Sequence, residues 1–188
     1  PAEKKQVSGG SSGNTAAGVA SLGGRASFIG KVAADELGDV FANDIFAMKG
    51  GTAINLFVRD MPRLSVDIDV VYLPWQTPRD EALQAINQEL AAIATRVAPL
   101  GVQTRLVRAK DLGDTKLIVE NDASQVKIEV NVVFLGSVLP VERRPLSAST
   151  SALFGVELEL PVLAPDELYA SKLVAALDRQ HPRDLFDV

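Results

Sequence analysis

The chain has 188 residues, of which 47% are hydrophobic and 23% charged, and this composition favours a globular protein over a disordered one. It has no Cys, which excludes thiolate zinc sites and Cys nucleophiles. It has one His, His181, which excludes multi-His metal sites and argues against Ser-His-Asp catalysis. The net charge of −5 does not indicate nucleic-acid binding by the whole surface, although a local basic face is compatible with it. With no signal peptide and no apolar run near the ~20 residues of a membrane span, we expect a cytoplasmic protein.

The first elements predicted along the chain form a loop-helix-strand-helix unit. Small apolar residues favour a helix over 14–22, and Phe28 with Ile29 indicates a strand over 26–32. The spacing of apolar residues then predicts a second helix over 35–46.

A helix beginning at Gly50 and ended by Met61-Pro62 is predicted next, followed by a strand over 64–73. Thr77 is the predicted N-cap of a long amphipathic helix that has Pro78 at its first position. Its apolar stripe consists of Leu83, Ile86, Leu90, Ile93 and Val97.

The second half of the chain is predicted to contain more strands than helices. The predicted strands are 103–108, 115–120 and 125–134, with a hairpin turn at 121–124. Residues 135–162 are Pro-rich and indicate only short strands near 152–154 and 156–160. Pro165 begins a helix that runs to about Arg179, and a helical pattern resumes at Arg183. This order predicts an α/β or α+β sheet flanked by helices.

Two carboxylates, Asp67 and Asp69, project from one face of the predicted strand, because alternate residues of a strand share a face. Such oxygen ligands suit Mg²⁺, although most Asp-x-Asp pairs are solvated edges or turns. Glu129 lies on the polar face of another predicted strand. It completes a three-carboxylate cluster if the two strands are neighbours, whereas the ordinary alternative is an exposed strand face.

Two further features are suited to phosphate. The turn Gly50-Gly51-Thr52 precedes a helix, where glycine lets backbone N–H groups approach an anion closely; the alternative is a simple loop-to-helix turn. Lys172 and Arg179 share a helix face, and with Arg183 they could meet triphosphate charge; the alternative is a solvated face paired with Asp178, Asp184 and Asp187.

Four segments resemble, in order and spacing, the motifs of the AbiEii-type nucleotidyltransferase toxins of bacterial abortive-infection and type IV toxin–antitoxin systems. They are 49–56 (KGGTAINL), 63–69 (RLSVDID), 127–131 (KIEVN) and 167–187, which includes ELYASKL and RDLFD. The resemblance covers residues 47–188, and it implies a polymerase-β-like nucleotidyltransferase fold with a mixed sheet flanked by helices.

The resemblance also implies roles for individual residues. Asp67 and Asp69 would hold Mg²⁺ and the triphosphate of an NTP, and Glu129 would help bind the metal and orient or activate the acceptor hydroxyl. The turn of Gly50, Gly51 and Thr52 would cradle the terminal phosphates. The fourth motif would supply Lys172, Arg183 and Asp184 or Asp187. Family members are thought to add nucleotides to tRNA or to bind GTP, so the resemblance implies tRNA and a cognate antitoxin as partners. A basic RNA surface of Arg105, Arg108, Lys110 and Lys116 is as compatible with the sequence as ordinary solvated strand edges.

The first 46 residues resemble a different family, the ribokinase-like PfkB sugar and nucleoside kinases. The similar segments are 9–20 (GGSSGNTAAGVA), 22–24 (LGG), 28–32 (FIGKV) and 35–38 (DELG). This resemblance implies that Gly9, Gly10 and Asn14 are substrate-side residues, but nothing in the chain supplies the catalytic half of such a kinase. We therefore predict a chimera with a kinase-like fragment at 1–46 and a C-terminally truncated nucleotidyltransferase domain at 47–188.

Three functions remain open from the sequence. The first is a Mg²⁺-dependent nucleotidyltransferase acting on RNA, the second a folded but inactive chimera, and the third an enzyme that modifies a small molecule such as an antibiotic. Apolar helix faces left by truncation predict a homo-oligomer.

Overall fold

The computed structural model describes residues 38, 40–62, 65, 67–109, 113–121, 125–180 and 182–188. The elements predicted at 14–22 and 26–32 lie outside this part of the chain. The described part forms one seven-stranded sheet in the order β3-β4-β5-β2-β1-β7-β6. The strands are β1 (Phe46–Lys49), β2 (Ile68–Tyr72), β3 (Gln103–Ala109), β4 (Gly113–Glu120), β5 (Gln125–Asn131), β6 (Glu142–Pro145) and β7 (Glu159–Val162).

The sheet is mixed, and its helices complete the predicted α+β class. Strand β2 runs parallel to β5, and β1 runs parallel to β7, whereas the other neighbouring pairs are antiparallel. The helices are α1 (Gly50–Ala53), α2 (Arg79–Val97), α3 (Ala148–Phe154), α4 (Pro165–Arg179) and α5 (Pro182–Phe186). Helix α1 continues directly into a π-helical segment over Ile54–Val58. The fold class predicted from the sequence is therefore confirmed.

Helix α2 packs on β4 and β3, and the helix that begins at Gly50 lies against β1, β2 and α4. Four members of the predicted stripe of α2 are buried, namely Ile86, Leu90, Ile93 and Val97, while Leu83 is partly buried. In the centre of the sheet, Ile68 and Val70 of β2 lie in register with Ile128 and Val130 of β5, and all four are buried. The polar residues that alternate with them therefore share the opposite face of β2 and β5.

The helix predicted over 35–46 is wrong at its C-terminal end. Residues 41–45 form turns, and Phe46 begins strand β1. Phe46, Ala47 and Met48 are completely buried between β2 and β7. Pairing on both sides satisfies the backbone of this short segment, and this tertiary packing outweighs the local helical spacing.

The Pro-rich region also differs from its prediction. A strand, β6, forms over residues 142–145, which were expected to be irregular, and residues 152–154 belong to helix α3 instead of a strand. Ser147 caps α3 by accepting a hydrogen bond from the Thr150 amide, which explains why a helix begins there. At α2 the predicted cap is one residue off, because Pro78 and not Thr77 occupies the N-cap. Within the described ranges, no helix combines the length and apolarity needed to cross a bilayer.

Candidate functional site

The parallel pairing of β2 with β5 brings two of the predicted carboxylates together. Asp69 is the register partner of Glu129, so the two side chains lie side by side on one face of the sheet. Asp67 lies two residues before Asp69, just ahead of β2. The neighbouring strands on which the sequence prediction depended are thus present, and both segments contribute to one cleft.

Gly50 lies directly against this pair. It has a φ of +73°, and a Cβ atom at this position would lie 2.5 Å from Asp69 Oδ2. Only glycine combines the left-handed backbone with such a close approach. The preceding residue, Lys49, pairs with Asp69 across β1 and β2. The glycine turn therefore meets the Asp69 carboxylate at the point where the chain leaves the sheet for α1.

Thr52 has a different contact from the one expected of a phosphate-binding hydroxyl. Its side chain is buried and donates a hydrogen bond to the backbone carbonyl of Asp67, while its Oγ1 lies 2.8 Å from Ser65 Oγ. Gly51 is also buried. In this arrangement Thr52 holds the segment that carries Asp67 against the start of the helix.

Two lysines occupy the space around Glu129. Lys116 Nζ lies 2.9 Å and Lys127 Nζ 3.0 Å from its carboxylate oxygens, and Lys127 Nζ also lies 3.9 Å from Asp67 Oδ2. Burial acts to raise the pKa of Glu129, but the hydrogen bonds and charges of the two lysines hold it below its ordinary value. Glu129 is therefore an ionised carboxylate at neutral pH.

Asp69 has the opposite electrostatic character. Burial, opposed by Lys127 and assisted by the charges of Glu129 and Asp67, raises its pKa from 3.8 to about 6. Burial likewise lowers the pKa of Lys49, against the attraction of Asp69 and Glu167. The site thus holds negative charge in a poorly solvated place, where a cation would be strongly favoured.

The carboxylates match the donor set of Mg²⁺, which prefers oxygen ligands and usually takes one or two carboxylates with substrate phosphates. Within the described ranges, however, no three acidic, His or Cys side chains are grouped closely enough to hold a metal by themselves. The ammonium group of Lys127 contacts both Asp67 and Glu129, and metal binding by the three carboxylates together stays a prediction. Asp67 and Asp69, beside the cradle at Gly50, are the residues that fit the ion, and Glu129 as a direct ligand stays a prediction.

The residues of the fourth motif form a buried ionic cluster. Lys172 Nζ lies 2.9 Å from Asp184 Oδ1 and 3.0 Å from Asp187 Oδ2, and all three residues are at most 8% exposed. Arg179 pairs with the second oxygen of Asp184 at 3.0 Å. Both residues pair with Asp184, as the alternative of a helix face paired with nearby aspartates predicts, but only Lys172 is buried, and the Arg179 side chain is 56% exposed.

Asn55 connects this cluster to the glycine turn. Its Nδ2 donates to the Gly51 carbonyl at 2.8 Å and to Asp187 Oδ1 at 3.0 Å. Its Oδ1 is buried and has no hydrogen-bond partner within the described part of the chain. The sequence assigns no role to Asn55 or Lys49. Asn55 lies four residues after Gly51, a spacing that brings side chains of a helix close to the preceding turn, and Lys49 immediately precedes Gly50, so position relative to the glycine turn was the available signal for both.

The remaining predicted basic residues are dispersed. Arg183 lies in α5, and its side chain is outside the described part of the structure. Arg105 and Arg108 are exposed on β3 at the edge of the sheet, Lys110 is outside the described residues, and Lys116 is bound to Glu129. The RNA surface therefore stays a prediction.

An open cleft of about 400 Å³ exposes the site to solvent. Its walls include Asp69 and Glu129 together with Lys49, Lys116 and Asn131. Carboxylates for a hard cation and lysines for phosphate therefore line one cleft, an arrangement suited to phosphoryl or nucleotidyl chemistry.

The fold is similar to that of a nucleotidyltransferase toxin. The nucleotidyltransferase toxin MenT4 of Mycobacterium tuberculosis matches with a TM-score of 0.52 and 20% identity over 88% of this chain. The chain covers 58% of MenT4, and likeness at this identity concerns the fold alone. No curated protein matches the chain.

The family model described as nucleotidyl transferase AbiEii toxin, type IV toxin–antitoxin system, matches residues 32–188. The chain belongs to the AbiEii nucleotidyltransferase toxin family, which confirms the resemblance seen in the four motifs. The match begins inside the segment predicted to be kinase-like, and the comparisons do not support the PfkB resemblance. The boundary at residue 47 and the chimeric origin stay predictions.

Proposed function

We propose that this chain transfers a nucleotide from an NTP to an acceptor hydroxyl with Mg²⁺, that the acceptor is RNA of the tRNA class, and that a cognate antitoxin restrains the reaction. One observation carries the proposal: the left-handed Gly50 lies against the partly buried carboxylate of Asp69, which is in register with Glu129. Family membership supports the toxin and nucleotidyltransferase parts. The RNA acceptor rests on the resemblance of the motifs.

In this proposal the glycine turn receives the terminal phosphates. Gly50 lacks a side chain on the face next to Asp69, so phosphate oxygens can approach the backbone and the carboxylates together. Lys49, Lys116 and Lys127 line the same place and neutralise triphosphate charge. Asp67 and Asp69 hold Mg²⁺, which when bound supplies charge neutralisation for the attacking and leaving oxygens.

Glu129 orients the acceptor hydroxyl. Its pKa is held low by Lys116 and Lys127, so it is a weak base but a permanent hydrogen-bond acceptor at neutral pH. Positioning a hydroxyl for attack on the α-phosphate is a large part of the catalysis expected for such transfers. The lysines that now bind Glu129 can turn to the phosphates when these enter the cleft.

Lys172 is a positioning residue in this scheme. Its ammonium is bonded to Asp184 and Asp187, and Asp187 in turn accepts a hydrogen bond from Asn55, which also bonds to Gly51. The cluster therefore holds the glycine turn in place through the hydrogen bonds of Asn55. Lys172 therefore acts through the glycine turn and does not contact the reacting atoms.

The test is incubation of the protein with each NTP labelled at the α-phosphate, Mg²⁺ and total tRNA, followed by denaturing electrophoresis. We expect labelled tRNA with the native protein and at least a hundredfold less with Asp69→Asn. Asp80→Asn, an exposed acidic position in the first turn of α2, is the matched control and retains activity. Absence of label with every NTP, or equal labelling by Asp69→Asn, contradicts the proposal. Labelling of aminoglycosides but not of tRNA favours a small-molecule acceptor instead.

A further inference from the structure

A second cleft, of about 600 Å³, adjoins the acidic one. Lys49 and Asn131 line both clefts, so the two spaces adjoin at the residue that precedes the glycine turn. The walls of the second cleft are mostly apolar, and they include two large aromatic side chains, Trp75 and Phe134. Polar atoms at its border come from Ser137, Ser171 and Glu167. We call this space the aromatic cleft.

Phe134 is held in an exposed position by an ordered loop. Phe134 is 73% exposed. The backbone amides of Val133 and Phe134 both donate hydrogen bonds to Asn131 Oδ1, at 2.9 Å and 3.3 Å respectively. Farther along the loop, Gly136 donates to the Tyr72 carbonyl at 2.7 Å. The loop therefore presents an apolar ring to solvent at a fixed place beside the candidate site, which costs free energy unless a ligand covers the ring.

Trp75, which follows β2, lines the same cleft. It is 65% exposed, and Gly136, with a φ of +80°, approaches it so closely that a Cβ at Gly136 would lie 2.5 Å from Trp75 Cβ. The end of the loop is tied down as well, because the amides of Val138 and Leu139 donate to the Glu167 carboxylate at 3.1–3.2 Å. Both aromatic residues are thus positioned by backbone contacts and not by burial of their rings.

We propose that the aromatic cleft binds the base of the incoming NTP, with the ring of Phe134 as its stacking platform and Trp75 as a second aromatic wall. This inference rests on the proposed function, because the triphosphate in the glycine turn is what directs the nucleoside past Lys49 into the adjoining cleft. Bases stack on aromatic side chains irrespective of sequence, and polar groups at the border select among bases by hydrogen bonding. A flat, exposed ring beside a phosphate-binding site fits a nucleobase better than an aliphatic ligand.

The single Trp of the chain makes the proposal directly measurable. Trp75 fluorescence is titrated with each NTP in the presence of Mg²⁺, with inorganic tripolyphosphate, and with a single-stranded RNA oligonucleotide, and free tryptophan is the control for light absorption. We expect saturable quenching by at least one NTP and none by tripolyphosphate. Phe134→Ala is expected to weaken that NTP about tenfold, since stacking on an aromatic residue is worth about 1–3 kcal/mol per base.

Phe134→Ala should fold, because the ring that it removes is mostly exposed. Phe134→Tyr keeps an aromatic ring and is expected to bind the NTP as the native protein does. Leu177→Ala changes an exposed residue outside the cleft and is the matched control, which is also expected to bind normally. Equal quenching by tripolyphosphate, quenching by the RNA alone, or unchanged binding by Phe134→Ala overturns the proposal. The readout is independent of turnover, so NTP-dependent quenching without any transfer of label would support the cleft while contradicting the proposed function.

Discussion

Replacement of Gly50 by Ala tests the close contact between the glycine turn and the carboxylate of Asp69. The left-handed backbone at φ +73° costs an Ala about 1–2 kcal/mol by itself. The new Cβ would also lie 2.5 Å from Asp69 Oδ2 and 3.1 Å from Asp69 Cβ, so the carboxylate must leave its place. Such overpacking typically costs a further 1–3 kcal/mol, and we expect a total loss of about 2–5 kcal/mol in the free energy of unfolding.

Gly101→Ala separates the two contributions. Gly101 has nearly the same φ, +75°, but no heavy atom lies within 4 Å of the position of its added Cβ. Urea unfolding of both variants at neutral pH therefore measures the clash as a difference between them. We expect Gly50→Ala to be less stable than Gly101→Ala by at least about 1 kcal/mol, and this excess to shrink when Asp69→Ala is added, because the two residues are in contact. Equal losses for Gly50→Ala and Gly101→Ala would refute the contact.

Three further predictions concern the charged residues of the site. Asp69→Asn removes a carboxyl whose pKa is raised from 3.8 to about 6. Such a group destabilises the folded protein when it is ionised, so this cost is absent at low pH and appears as the pH rises through that window. In urea titrations the variant should therefore be more stable than the native protein at pH 7, by up to about 3 kcal/mol, and this gain should vanish near pH 4. Lys172→Met removes the buried ammonium that Asp184 and Asp187 share, although Arg179 still pairs with Asp184, and should cost about 3–5 kcal/mol of stability, part of which returns when Asp187→Asn is added. Lys116→Met removes a hydrogen bond to Glu129, so the Glu129 pKa measured by NMR should rise, while stability changes by less than about 1 kcal/mol because the pair is half-exposed.

Each of these has an outcome that contradicts it. A flat stability difference between pH 4 and pH 7 for Asp69→Asn means that Asp69 is not desolvated in the folded protein. Full stability of Lys172→Met means that the buried cluster is dispensable for folding. An unchanged Glu129 pKa in Lys116→Met means that Lys127 alone holds the carboxylate ionised.

Much of the site followed from alternation, which depends only on local sequence. Alternation predicts that Asp67 and Asp69 share one strand face and that Glu129 lies on the polar face of another strand, because alternate residues of a strand point the same way. Their meeting required β2 and β5 to be neighbours, which local pattern does not determine. The pairing of Asp69 with Glu129 is a property of the sheet topology.

The errors have a common physical origin. The helical spacing of residues 35–46 extends the predicted helix to Phe46, although Phe46 begins the four-residue strand β1, which is buried between two strands. Strand β6 contains Glu142, Arg143 and Arg144 and forms the edge of the sheet, where charged residues are tolerated and no apolar alternation marks the strand. Similarly, nothing in the spacing of Lys172 and Arg179 shows that Lys172 is buried against α5 while Arg179 stays exposed.

The central claim is that the site formed by Asp69 and Glu129 in the cleft, with Asp67 beside them, transfers the nucleotide and not the terminal phosphate of an NTP. It is tested most directly by parallel reactions with the same NTP labelled at the α- or at the γ-phosphate, in the presence of Mg²⁺ and total tRNA. We predict acceptor labelled only from the α-phosphate, with γ-label released in pyrophosphate, and loss of both signals in Asp67→Asn. Acceptor labelled from the γ-phosphate, or no release of pyrophosphate at all, would contradict the account.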